Sequence, residues 1–107
     1  MAEPVLDLSE ILDLYREDAR RMIREMRDAL AHWEEMAHGG EPRDSLRRLA
    51  HQLRGSGRTY GFREVSRLAK AIEHVVQKLE LSRLAPDERV RRSLAMKMDR
   101  LSRVFQG

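Results

Sequence analysis

From Leu8 onward the apolar residues Ile11, Leu12, Tyr15, Ala19, Met22, Ile23, Met26, Leu30 and Trp33 recur at spacings of three and four. At 3.6 residues per turn they form one stripe, which predicts a long amphipathic helix ending near His38, where Gly39-Gly40 breaks the pattern. Pro42 suits the first turn of a second helix, because its φ is already helical and its missing N–H has no partner there. Leu46, Leu49, Ala50 and Leu53 then carry the i, i+3, i+4, i+7 pattern, until Gly57 and Gly61 weaken and stop it. Phe62, Val65, Leu68, Ala69, Ile72, Val76 and Leu79 line a third helix. Pro86 with Asp87 and Glu88 makes a helix start, followed by Val90, Leu94, Met98, Leu101 and Val104 or Phe105 as the buried face of a fourth. The predicted helices cover 8–38, 43–58, 62–82 and 86–105. Their short connections imply antiparallel neighbours, so the expected fold is all-α, an antiparallel up-down four-helix bundle with residues 1–107 as a single domain.

Composition narrows the chemistry. The 107 residues suffice for one modest core, and 41% are hydrophobic while only 5% are aromatic. The absence of cysteine removes disulfides, thiolate catalysis and cysteine-type zinc sites together. No apolar run approaches the roughly 20 residues that span a bilayer, and MAEPVLDLSE lacks the basic start of a signal peptide. A cytoplasmic protein with no membrane partner is the expectation. The net charge of +3 is unevenly placed: residues 1–40 hold ten acidic and five basic side chains, residues 41–107 eight acidic and sixteen basic. The basic part suits nucleic acid or an acidic protein surface.

Within that basic part, AHQLRGSGRTYGF (Ala50 to Phe62) sets glycines beside a helical histidine, although each glycine inside a helix costs about 1 kcal/mol relative to alanine. His51 lies about 100° around the helix from Ala50 and about 200° from Leu49, so it turns away from the core face. Gly55, one turn later, leaves the imidazole uncovered on one side. Arg47, Arg54 and Arg58 bring cations to the same face, which suits a dianionic group arriving on a ring nitrogen. If the turn falls at Gly61-Phe62, residues whose numbers sum to about 124 lie level across the helical hairpin. Glu73 is then the partner of His51. A carboxylate there can accept a hydrogen bond from one imidazole nitrogen, which fixes the tautomer and leaves the other nitrogen the better nucleophile.

The run His51-Gln-Leu-Arg-Gly55-Ser-Gly-Arg-Thr-Tyr-Gly61-Phe resembles the signature of histidine phosphotransfer (HPt) domains, His-x-Leu-Lys-Gly with a further Gly six residues on. The Thr-Tyr-Gly-Phe ending and Glu73 are most similar to the P1 domain of chemotaxis histidine kinases. The resemblance implies that His51 is phosphorylated through Nε2, that Glu73 orients the ring through Nδ1, and that Gly55 gives a receiver domain room to dock. Arg54 stands where the family has Lys and keeps the charge for the phosphoryl group, with a wider, planar head. Arg47, Arg58 and Lys70 would complete the partner-binding patch, and Gly61 would end the helix and set the register. The implied partners are a histidine kinase as donor and a response-regulator receiver domain. The chain would then be a phosphoryl carrier rather than an enzyme, with no cofactor of its own.

Plainer readings cover the remaining residues. His32, His38 and His74 read as ordinary surface histidines, and Met22, Met26, Met36, Met96 and Met98 as core filler. Glu35-Met-Ala-His38 resembles half of a di-iron bundle site, but no second Glu-x-x-His exists, so no metal is expected. Without a helix-turn-helix, zinc finger or stacking platform, nucleic-acid binding is not expected either. A helical adaptor bundle that never carries phosphate is the other alternative.

Overall fold

The computed structural model describes residues 7–35 and 40–106, and the expectations placed on Met36, His38 and Gly39 lie outside them. Four helices follow in order: α1 (Leu8–Glu35), α2 (Glu41–Thr59), α3 (Arg63–Ser82) and α4 (Glu88–Val104). Each packs against two neighbours, α1 on α2, α2 on α3, α3 on α4 and α4 back on α1, with no diagonal pair among the described residues. This is the antiparallel up-down four-helix bundle that the apolar spacing predicts. None of these helices is long and apolar enough to cross a membrane.

The core is the set of apolar stripes brought together. Ala19, Met26, Leu46, Ala50, Leu53, Val65, Ala69, Ile72, Val76, Leu94, Met98 and Leu101 are fully buried, with Trp33 and Phe105 nearly so. Leu8, at the start of the predicted stripe, is exposed, and Ile11 and Leu12 are half-buried. Met96 corrects the expectation of core filler: it is 59% exposed, because it lies on the α4 face opposite Leu94, Met98 and Leu101.

The helix ends follow from local chemistry. Asp87, not Pro86, starts α4: its carboxylate accepts the Val90 N–H at 2.8 Å, and Pro86 lies buried just before the cap. Helix α2 runs through Gly57 to Thr59, one residue beyond the expected end. It closes with the Phe62 N–H donating to the Gly57 carbonyl at 2.7 Å and the Gly61 N–H to that of Arg58 at 3.4 Å. That pair of bonds is a Schellman ending, and it requires the left-handed φ of +84° that Gly61 supplies. Helix α3 ends the same way, with Leu84 donating to Leu79 and Arg83 to Glu80, but there the left-handed position belongs to Arg83, at φ +56°.

Gly57 is not a weak point in α2. A Cβ at this position would stand 3.0 Å from the Val65 side chain and 3.1 Å from the Ser66 nitrogen. The glycine therefore lets α2 and α3 approach closely at the base of their hairpin. Nearby, Tyr15 stacks on Tyr60 at 4.5 Å and packs against Phe62 and Phe105, and its hydroxyl meets that of Ser56 at 3.1 Å. This aromatic cluster, joined by Arg20 donating to the Phe105 carbonyl, ties the N-terminal half of α1 to the hairpin and to the end of α4.

Candidate functional site

The tight hairpin at Gly57 and Gly61 sets the register between α2 and α3, and the register brings His51 and Glu73 together. The His51 side chain is 72% exposed and that of Glu73 only 7%. Nδ1 of the imidazole lies 3.1 Å from Oε1 of Glu73. An ionised carboxylate only accepts, so Nδ1–H is the donor of this bond and Nε2 is left with its lone pair free. Among the described residues Glu73 is the one buried charged side chain.

The second carboxylate oxygen explains where Arg54 goes. Nη1 of Arg54 lies 3.5 Å from Oε2 of Glu73, an ion pair in which the buried oxygen makes no hydrogen bond. Arg54, Glu73 and His51 therefore form one row across the α2–α3 seam, with the carboxylate between a cation and an imidazole. Burying a carboxylate costs several kcal/mol unless it is paired, and these two groups are what offset that cost.

The other cations divide. Arg47 is drawn along the seam, with Nε 3.4 Å from Glu80 and Nη2 3.9 Å from Asp44. It is thus engaged with carboxylates rather than standing free beside the ring. Arg58 and Lys70 are exposed and pair with none of the described residues. Gly55 is exposed too, and a Cβ built on it meets nothing within 4 Å. A groove of about 500 Å³ runs beside the imidazole, lined by Asp44, Arg47, Arg48, His51, Glu73 and Gln77. Of the remaining histidines, His32 has Nδ1 2.7 Å from the Asp28 carbonyl and His74 is exposed, so neither has a buried carboxylate behind its ring. Among the described residues no three His, Asp or Glu side chains come together to hold a metal ion.

Residues 10–104 match the model of one protein family, described as Hpt domain. The chain belongs to the Hpt domain family. Two curated relatives are the chemotaxis proteins CheA of Listeria monocytogenes serovar 1/2a and Listeria innocua serovar 6a. Each is 31% identical over 80 residues, which is 75% of this chain and 13% of the relative. The chain thus spans about an eighth of the length of the curated relatives it matches. No solved structure matches the chain. As an Hpt domain it is a histidine phosphotransfer module of two-component signalling, and its seam offers an exposed imidazole with one nitrogen held and the other open.

Two features of the site were not visible from apolar spacing. Gly57 read as a helix breaker, because a close inter-helix approach leaves no mark in one strand of sequence. Arg47 read as part of the cationic ring, because Glu80 reaches it only through the α2–α3 register.

Proposed function

We propose that these residues act as one phosphotransfer domain that carries a phosphoryl group on Nε2 of His51 and exchanges it with an aspartate of a response-regulator receiver domain. The observation that supports this reading is the buried carboxylate of Glu73 behind an exposed imidazole. The core accepts a charged group whose main contact is a ring already in water. For fold stability alone an apolar side chain of similar size would serve as well or better, even with the carboxylate paired to His51 and Arg54. For chemistry it holds the Nδ1–H tautomer and offsets the positive charge that develops on the ring as Nε2 forms a bond.

In the forward step the Nε2 lone pair attacks the phosphorus of the donor. The P–N bond forms as the donor's P–O bond breaks, and with a kinase the γ-phosphoryl of ATP moves while ADP leaves. In the handover, a carboxylate oxygen of the receiver attacks phosphorus, the P–N bond breaks and its electron pair returns to Nε2. The catalytic machinery of each step, including Mg²⁺ in a receiver's acidic pocket, belongs to the partner, so the chain is a carrier and not an enzyme. Arg54 beside Glu73, with Arg58 and Lys70, which pair with none of the described residues, supplies positive charge for the phosphoryl oxygens. Gly55 leaves the approach clear. A kinase and a receiver domain as partners support a cytoplasmic location.

Chemical phosphorylation tests the site directly. The protein is incubated with phosphoramidate and the modified residue mapped by mass spectrometry. The reading expects one phosphoryl group, on His51, and none on the His51→Gln protein. Equal labelling of His51, His32 and His74 would favour the adaptor bundle.

A further inference from the structure

The solvent-facing side of α4 differs in kind from that of α1. Along α1 acidic and basic residues alternate and pair within the helix, as in Asp13–Arg16 and the Asp18–Arg21–Glu25 ladder. That is how a merely solvated face is built. Helix α4 carries six basic residues against two acidic ones. Glu88 is engaged with Arg92, and Asp99 with Arg27 of α1. Arg89, Arg92, Met96, Lys97, Arg100 and Arg103 recur at spacings of three and four, a stripe about 21 Å long on one side of the helix. Among the described residues Arg89, Arg100 and Arg103 have no partner and Lys97 bonds only to Ser93. Like charges along one face repel and contribute nothing to the fold. In the middle of them Met96 stands 59% exposed, lining a shallow depression of about 330 Å³ with Arg89, Arg92, Ser93, Lys97 and Arg100.

We propose that this stripe is a second docking surface, and that its occupant is an acidic segment of a partner protein presenting carboxylates around an apolar side chain. Charge complementarity selects the carboxylates, and the exposed thioether of Met96 selects an apolar contact among them. Phosphate-backbone binding would use the arginines but has no use for the methionine, and no aromatic side chain lies on the stripe to stack a base. Among the described residues the α4 backbone runs beside α1 and α3 and lies diagonally across the bundle from α2. The stripe therefore lies away from His51, and a partner held there leaves the imidazole free for a kinase or receiver. This inference stands whether or not His51 carries phosphate.

The test uses a fluorescently labelled 18-residue helical peptide with Glu at i, i+3, i+7 and i+10 around a central Leu, titrated into the whole protein at two salt concentrations. Backbone amide NMR shifts then locate the contact. The proposal expects the shifts to cluster on residues 89–103 and the affinity to fall with salt. Replacing Arg89 and Arg100 together by Gln should weaken the peptide about fivefold or more, and Met96→Ser should weaken it with no change in salt dependence. Neither variant should alter labelling of His51 by phosphoramidate or lower the melting temperature. Shifts spread evenly over Arg58, Lys70 and α4 would overturn the proposal, as would tighter binding of a DNA duplex than of the peptide at matched salt.

Discussion

Glu73 is where sequence, packing and chemistry meet in one side chain. Its place level with His51 was legible from the position of the Gly61 turn, whereas its burial was not, since that depends on how closely α2 and α3 approach at the seam. Glu73→Gln keeps the shape and removes the charge. A hydrogen bond to a charged group contributes about 1.5–3 kcal/mol, so the rate at which Nε2 of His51 takes up a phosphoryl group should fall about ten- to a hundredfold. Rapid-quench kinetics would show it, and an unchanged rate would mean that the carboxylate only fills space. The glycines divide in a similar test. Gly55→Ala meets no atom within 4 Å and should raise stability by about 1 kcal/mol while slowing handover to a receiver. Gly57→Ala meets Val65 and the Ser66 backbone, and should lower stability by about 2 kcal/mol. Urea denaturation of the two variants separates a glycine kept for a partner from one kept for packing.

At the scale of the elements, periodicity located all four helices, and the ends were harder because capping depends on single side chains. Pro86 and Asp87 both fit a helix start, and the hydrogen bond from Val90 decides between them. The α3 ending had no glycine to announce it. Arg83 holds a left-handed φ of +56° there, which costs a non-glycine residue about 1–2 kcal/mol. Arg83→Gly should therefore stabilise the bundle by about 1 kcal/mol, seen as a higher urea midpoint with an unchanged m-value. The aromatic cluster links α1 to the hairpin and titrates. Burial raises the Tyr15 phenol above its ordinary value of 10, with Asp18 and Tyr60 adding to the rise and the Ser56 hydrogen bond opposing it. Its folded-state pKa exceeds its unfolded one, so the stability it contributes is complete below about pH 10 and is lost as pH climbs through the folded value. Denaturation midpoints should fall more steeply above pH 10 in the parent protein than in Tyr15→Phe.

Across the whole molecule the layout separates tasks by face. The α2–α3 seam holds His51, Glu73 and Arg54, the interior formed by the described residues is apolar apart from Glu73, and α4 turns a basic stripe outward. The bundle was legible because four stripes with short links have one economical packing. The pairing of Arg47 with Glu80 and the exposure of Met96 were not, since both depend on which way a helix rotates once it packs. The central claim is that His51 passes a phosphoryl group onward, and transfer itself is its most direct test. The protein is labelled on His51 with phosphoramidate, freed of reagent, and mixed with receiver domains and Mg²⁺ while the label on each chain is followed by intact-mass spectrometry. The account predicts loss of the group from His51 as it appears on a receiver aspartate, and no transfer from His51→Gln. Label that stays on His51 with every receiver in a broad panel would contradict it.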